Sequence, residues 1–227
     1  METHEQHSDL IKTARIAGIW YLALAITGVL GFLVFHPQLF ISGDPEQTLK
    51  NLADRESFAR GRLLLEIGVV GSQAMAAVWF FKLFRNINPV AAWATGIWGT
   101  VNAVVILVSA ISMGVAIKIA NGTILTPDFK LAAIHILEQF SSNAWGVGGL
   151  FFGLWLIPMG YTVASSQRMP IWLGRVLMIG GMGYILNTFI SYAGVSSNWV
   201  DLLVIPATIG EFWMIGYLLV FGIRPSR

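Results

Sequence analysis

The sequence contains no cysteine among its 227 residues. Disulfides, thiolate nucleophiles and cysteine-ligated metals are therefore excluded, although the absence carries no information about the redox compartment. No lysine lies in the middle of a long apolar run, since Lys118 stands at the end of one. This excludes a lysine Schiff base of the retinal type within such a run.

Charged residues are also scarce. They make up 11% of the chain, against about 25% in soluble domains, while hydrophobic residues make up 56%. A surface with so little charge would not keep a protein dispersed in water. Apolar runs of roughly 20 residues recur, and each is long enough to cross about 30 Å of hydrocarbon as a helix. The composition therefore predicts a helical protein that crosses the bilayer several times.

A nucleic-acid partner is not indicated, although the net charge is +2 and the pI is near 9.0. No basic stripe is interleaved with aromatic residues, as such surfaces require. Lysine and arginine instead cluster at the ends of apolar runs, where anionic lipids attract them. Aromatic residues near the same ends, Tyr21 among them, are assigned by default to the interfacial belt. We expect the lipid bilayer to be a partner and nucleic acid not to be one.

Six candidate spans divide the chain. We predict an all-α integral membrane bundle of six transmembrane helices in a single domain, residues 1–227. Pro158 and Pro206 lie inside spans four and six, and each is expected to kink its helix. Asp44 is expected to start a short amphipathic helix in the first connection. The spans are residues 15–35, 61–84, 90–117, 131–163, 171–192 and 199–221.

Basic residues favour one side of this bundle. Eight of the 14 lysines and arginines fall on the side that holds both termini. Because short cytoplasmic connections carry an excess of positive charge, we predict that the N- and C-termini are cytoplasmic. The eight are Lys12, Arg15, Lys82, Arg85, Arg168, Arg175, Arg224 and Arg227.

Polar residues form a single stripe on five of the spans when they are placed on helical wheels. An ionisable residue in hydrocarbon is costly, and it normally faces a partner or water. With the N-terminus inside, the residues in the outer half of the bilayer are Arg62, Glu66, His135, Glu138, Asn187 and Asp201, and those near its middle are Gln73 and Glu211. We predict a polar, water-accessible pocket that opens to the outside. Its candidate ligand-binding residues are Arg62, Glu66, His135, Glu138, Asn187 and Glu211.

The residues alone leave other interpretations open. Arg62 and Glu66, four residues apart, could form an interfacial salt bridge with the arginine reaching the headgroups. His135 and Glu138, three residues apart, match the spacing of metal ligands in helical bundles. One pair supplies too few ligands, so we assign no metal site. The same pair would suit a general base with its orienting carboxylate, or a hydrogen-bonded structural histidine. No cofactor is identified.

Six motifs follow one another over most of the chain, at residues 15–21, 62–66, 151–161, 170–175, 180–184 and 206–211. In this order they resemble the bacterial membrane family known as domain of unknown function 4386. The resemblance implies a small polytopic protein of the bacterial plasma (inner) membrane, and it implies no activity, because none is assigned to the family. It supports Glu66 and Glu211 as site residues, and His135 is not carried over.

Three functions are compatible with these features. The leading hypothesis is a non-enzymatic protein that binds or transports a small polar ligand, an ion or a lipid headgroup in the outer-half pocket. The first alternative is an intramembrane enzyme acting on a lipid, with His135 as base and carboxylates as acids or metal ligands. The second is a structural or assembly subunit whose polar stripes join helices. The sequence leaves open a homo- or hetero-oligomer.

Overall fold

A computed structural model describes residues 4–195 and 197–225 of the chain. Every regular element within these residues is helical. Six helical segments of this part are long and apolar enough to cross a membrane. The all-α class and the number of candidate spans are thereby confirmed, and they favour a multi-pass membrane protein. Arg227, which was counted with the basic tail, lies outside the described residues.

Most helices are longer than predicted. A helix of 40 residues, the length of α5, measures about 60 Å. This is about twice the hydrocarbon thickness, so part of α5 extends beyond the apolar layer. A π-helical segment, Val29–Phe35, and a 3-10 turn, His36–Gln38, continue α1. The α-helices are α1 (His4–Gly28), α2 (Pro45–Asp54), α3 (Glu56–Phe84), α4 (Pro89–Asn121), α5 (Pro127–Ser166), α6 (Ile171–Tyr192), α7 (Asn198–Leu202) and α8 (Ile205–Val220).

The helix predicted after Asp44 is present as α2. The Asp44 carboxylate accepts a hydrogen bond from the Gln47 backbone N–H at 2.9 Å, and Pro45 occupies the first turn. A side-chain acceptor before the helix and a proline at its start are common N-terminal signals. Leu52 of α2 is fully buried and belongs to a hydrophobic cluster with Leu39 and residues of α4 and α5.

The two internal prolines behave differently. Pro158 lies within α5, which continues through it. Pro206 lies in the first turn of α8 and not in a helix interior, because α7 ends at Leu202 and α8 begins at Ile205. Proline lacks an N–H and its ring clashes with the carbonyl four residues earlier, whereas a first turn accommodates both defects. Span six, which was predicted as one kinked helix, is therefore interrupted at residues 203 and 204, immediately before Ile205 and Pro206.

Residue contacts group the chain into two compact units. The first unit contains the chain up to Leu22, the segment Ser72–Asn102 and the chain from Val147 onward. The second contains Ala23–Gly71 and Ala103–Gly146. Each unit has its own buried apolar residues, and each contains one of the two carboxylates that the resemblance favours.

Glycines bring α5 and α6 close together in the first unit. A Cβ atom added to Gly181 would lie 2.8 Å from the carbonyl oxygen of Gly153, and one added to Gly174 would lie 2.6 Å from the backbone nitrogen of Ala164. Neither position has room for a side chain. Small residues let helix backbones approach in this way, so Gly153 and Gly181 serve the packing of α5 against α6.

Candidate functional site

A buried ion pair forms the most polar part of the second unit. Arg62 and Glu66 lie one turn apart on the same face of α3, and Arg62 Nη1 donates to Glu66 Oε2. Arg62 is 1% exposed and Glu66 is 2% exposed. An arginine that reaches lipid headgroups would keep its guanidinium exposed. The salt bridge considered for this pair is therefore present, but the interpretation that its arginine snorkels to the headgroups is wrong.

The other carboxylate oxygen of Glu66, Oε1, accepts two hydrogen bonds. Ser109 Oγ of α4 donates to Glu66 Oε1 at 2.5 Å, and Trp145 Nε1 of α5 donates to the same oxygen at 3.0 Å. The Ser109 hydroxyl oxygen lies 2.6 Å from that of Ser141. A buried charge needs such donors to offset the loss of its hydration. Three helices thus supply donors to one carboxylate.

The guanidinium of Arg62 is less completely partnered. Its Nη2 atom lies 3.4 Å from His36 Nδ1, and its buried Nε atom has no hydrogen-bond partner within the described residues. The His36 ring stacks against the rings of Phe32 and Phe40, at centroid distances of 5.2 Å and 4.9 Å. Arg62 therefore retains donor capacity that its present neighbours do not use. We call these groups the Arg62–Glu66 centre: His36, Arg62, Glu66, Ser109, Ser141 and Trp145.

A narrow crevice lies beside the Arg62–Glu66 centre. It is too narrow to admit a water molecule. One wall belongs to the end of α1 and the π-helical segment, and Phe32 of that segment contacts the Trp145 ring at a centroid distance of 5.1 Å. Its lining residues are Thr27, Gly28, Gly31, Phe32, Arg62, Glu66, Val69 and Trp145. The centre is closed in this conformation.

The second carboxylate, Glu211 of α8, lies in the first unit. Its Oε1 atom accepts a hydrogen bond from the Tyr21 hydroxyl at 2.7 Å. Tyr21 is only 1% exposed, and its ring contacts Trp155 at a centroid distance of 5.2 Å. The default assignment of Tyr21 to the interfacial belt is therefore wrong. The sequence could not indicate this contact, because the two residues are 190 positions apart.

Three buried polar side chains in the first unit have unused hydrogen-bonding atoms. Both amide atoms of Gln73 and of Asn102 lack partners in the part of the chain that the structure describes, and so does Trp155 Nε1. All three residues are 0% exposed. Gln73 Nε2 and Trp155 Nε1 lie near each other, since each is 3.3 Å from the position that a Cβ on Gly99 would occupy. Such groups normally bind ordered water or a ligand.

The hydrogen bond to Glu211 can be tested by comparing two tyrosines. We expect Tyr21→Phe to lower the free energy of unfolding by about 1–2 kcal/mol, because the buried carboxyl loses its donor. Tyr217→Phe serves as the matched control, since its buried hydroxyl has no partner within residues 4–195 and 197–225. The Tyr217→Phe substitution should leave the free energy of unfolding unchanged. Thermal unfolding of the purified chain in detergent measures both, and equal losses would contradict the assignment.

The other sequence-predicted residues lie apart from these contacts. His135 is exposed on α5 and Glu138, one turn later, is half-buried. Asn187 donates to the Val200 carbonyl oxygen at 3.0 Å, which ties α6 to α7. The helical wheel places Ser142 with His135 and Glu138 on the polar stripe of this span, whereas in the structure Ser141 is buried and Ser142 is exposed. Among the described residues, no cluster of three or more histidines and carboxylates could hold a metal ion.

Comparison with known proteins gives the family. Residues 16–222 match the family model described as Domain of unknown function (DUF4386). The protein belongs to this family. The DUF4386 match covers most of the chain, and it confirms the resemblance seen in the motifs.

One curated relative also matches. A stretch of 85 residues is 31% identical to an "Uncharacterized protein" of Archaeoglobus fulgidus, and it covers 37% of this chain and 52% of the relative. The chain therefore matches about half of that relative's length. No solved structure matches the chain. Neither the DUF4386 family nor this relative carries an assigned activity.

Proposed function

We propose that this protein binds or transports a small polar molecule, an ion or a lipid headgroup at the Arg62–Glu66 centre. We further propose that it crosses the bacterial plasma membrane six times with both termini in the cytoplasm. The concentration of basic residues near the termini and in two short connections supports this orientation. In that orientation the centre lies in the outer half of the bilayer.

The observation that carries the proposal is the unused donor capacity of a fully buried arginine. Arg62 is 1% exposed, yet its Nε atom has no partner within the described residues, and its Nη2 atom meets His36 at the long distance of 3.4 Å. Guanidinium groups bind carboxylates and phosphates through pairs of N–H donors. A ligand with an anionic or strongly accepting group would complete the coordination of Arg62 without displacing Glu66.

The π-helical segment supplies a route of entry. π-helical turns are rare and often occur at functional sites. Here the segment presents Phe32 to Trp145 over the crevice, and Phe32 and Leu33 are 40% and 67% exposed. Movement of Phe32 away from Trp145 would open the crevice towards the surrounding lipid. Access would then depend on one aromatic side chain and on the adaptable backbone that carries it.

Native mass spectrometry of the protein released gently from membranes tests the proposal. We expect the wild-type chain to retain an additional mass, and the double variant Arg62→Met, Glu66→Met to lose at least about nine-tenths of it, because the guanidinium that would hold the ligand is then absent. The double variant removes both charges together, which a buried site often tolerates without loss of stability.

The matched control is Glu56→Gln combined with Arg60→Gln. This pair has the same four-residue spacing on the same helix, but its side chains are 39% and 61% exposed. The control should retain the additional mass at the wild-type level. A folded Arg62→Met, Glu66→Met variant that retains the additional mass equally well would refute binding at the centre.

A structural or assembly role is the second candidate, and one observation favours it. Glu66 is fully hydrogen-bonded by side chains of three helices, and the crevice beside it admits no water. Such a network can join helices without binding a ligand. The same experiment distinguishes the two functions, since a structural subunit would carry another membrane protein and no small additional mass.

The lipid-acting enzyme stays a prediction. It requires His135 to meet Glu66 or Glu211 within hydrogen-bonding distance. His135 is exposed, and in the described part of the second unit it shares no hydrogen bond with Glu66. No observation therefore favours the enzyme over binding or assembly.

A further inference from the structure

A large polar cavity is lined by residues of the first unit, whereas the Arg62–Glu66 centre belongs to the second unit. Its volume is about 740 Å³. The start of α1, the end of α3 with the connection to α4, and the loop between α5 and α6 all contribute side chains to it. Its lining residues are Gln6, Asp9, Leu10, Lys12, Thr13, Ile16, Trp79, Lys82, Arg85, Asn86, Ile87 and Arg168.

The lining is strongly cationic. Among the described residues it contains Lys12, Lys82, Arg85 and Arg168 against the carboxylate of Asp9, which is a formal excess of three positive charges. Lys12 Nζ lies 3.4 Å from the Asp9 Oδ1 atom, and both side chains are about 70% exposed. Lys82 and Arg85, at the end of α3 and in the connection to α4, form no ion pair with an acidic residue in the part of the chain that the structure describes.

Two structural features hold cations at the cavity. The Lys82 ammonium lies over the Trp79 ring, 4.6 Å from its centroid, a geometry in which the ring attracts the charge. Arg168 is held through its backbone, because its N–H donates to Ser166 Oγ at 3.2 Å and its carbonyl accepts from the Arg224 N–H at 3.1 Å. The contact with Arg224 also brings the basic tail to the same loop. These positions are set before any ligand arrives.

We propose that this cavity binds a phosphate-bearing anion, either the headgroup of an anionic lipid or a soluble phosphorylated compound. Arginine and lysine donors at several points of one concavity match the oxygens of a phosphate group. Basic pockets between transmembrane helices are suited to anionic headgroups. The volume exceeds that of one phosphate, and Trp79, Leu10 and Ile16 supply an apolar wall for a glycerol or acyl portion.

The test uses the full chain in a neutral detergent and measures lipid adducts by native mass spectrometry. The probes are phosphatidylglycerol, cardiolipin and phosphatidylcholine, with inorganic pyrophosphate as a competitor. We expect the two anionic lipids to bind at least about tenfold more tightly than phosphatidylcholine. Lys82→Gln combined with Arg85→Gln should weaken their binding by roughly tenfold or more, because each basic residue near a headgroup contributes about fivefold.

The matched control is Lys50→Gln combined with Lys118→Gln. These exposed lysines lie in the second unit, so the control removes the same charge outside the cavity. It should bind anionic lipid like the wild type. Displacement of lipid by millimolar pyrophosphate supports a soluble phosphate compound as the occupant, and retention of lipid supports a headgroup. Equal binding to both double variants, or equal binding of phosphatidylcholine, would overturn the proposal.

Discussion

Glu66→Leu is expected to lower the free energy of unfolding by about 3–5 kcal/mol, the cost of breaking a buried ion pair by removing one partner. Arg62 would stay buried, at 1% exposure, without its counterion. Ser109 and Trp145 would lose their acceptor at the same time. Equilibrium unfolding of the purified chain in detergent, followed by tryptophan fluorescence, measures the loss.

Two further variants test whether the loss of stability arises because the remaining charge is buried. Glu56→Leu breaks the exposed pair with Arg60 on the same helix, whose atoms Oε1 and Nη2 are 2.5 Å apart. Exposed pairs are worth less than about 1 kcal/mol, so this variant should be nearly neutral. Arg62→Met combined with Glu66→Met should recover most of the loss, because no charge is then left buried. Equal losses at Glu56 and Glu66 would contradict the role assigned to burial.

Gly174→Leu is expected to destabilise the first unit by about 3 kcal/mol or more, the upper end of the cost of overpacking. A Cβ atom at this position would meet the carbonyl oxygen of Gly160 and would lie 2.6 Å from the backbone nitrogen of Ala164. These are backbone atoms of α5, which cannot move aside as a side chain can. The two helices would have to separate, and the apolar contacts between them would be lost.

Gly216→Leu is the control for this prediction. Gly216 lies in α8 of the same unit, and nothing stands within 4 Å of the position that its Cβ would take. Leucine favours helix over glycine by up to about 1 kcal/mol, so this variant should be neutral or slightly more stable. Thermal unfolding of the two variants, measured side by side in detergent, gives the comparison. Similar melting temperatures would show that α5 and α6 do not depend on their close approach.

Local chemistry explains which features the sequence predicted well. The scarcity of charge and the apolar runs predict membrane-spanning helices, because only an internally hydrogen-bonded backbone is tolerated in hydrocarbon. The α2 start was predictable from Asp44 and Pro45, since a cap acts within one turn. The pairing of Arg62 with Glu66 follows from their four-residue spacing.

Features that depend on distant residues were not predictable in this way. A helical wheel placed His135 and Ser142 on an inward face, whereas the neighbours of α5 bury Ser141 and leave those two residues exposed. The break of span six before Pro206 is another case, because a proline inside a span is compatible with either a kink or a new helix start. The π-helical form of Val29–Phe35 had no signal in residue spacing at all.

The sequence by itself therefore determined the family, the all-helical class, the six candidate spans and the local pair Arg62–Glu66. Only the tertiary structure decided which other groups meet the two carboxylates. Ser109 and Trp145 reach Glu66 from 43 and 79 positions away, and Tyr21 reaches Glu211 from 190. Spacing along a helix constrains neighbours within a turn or two, whereas contacts between helices depend on how every packed side chain fits its surroundings.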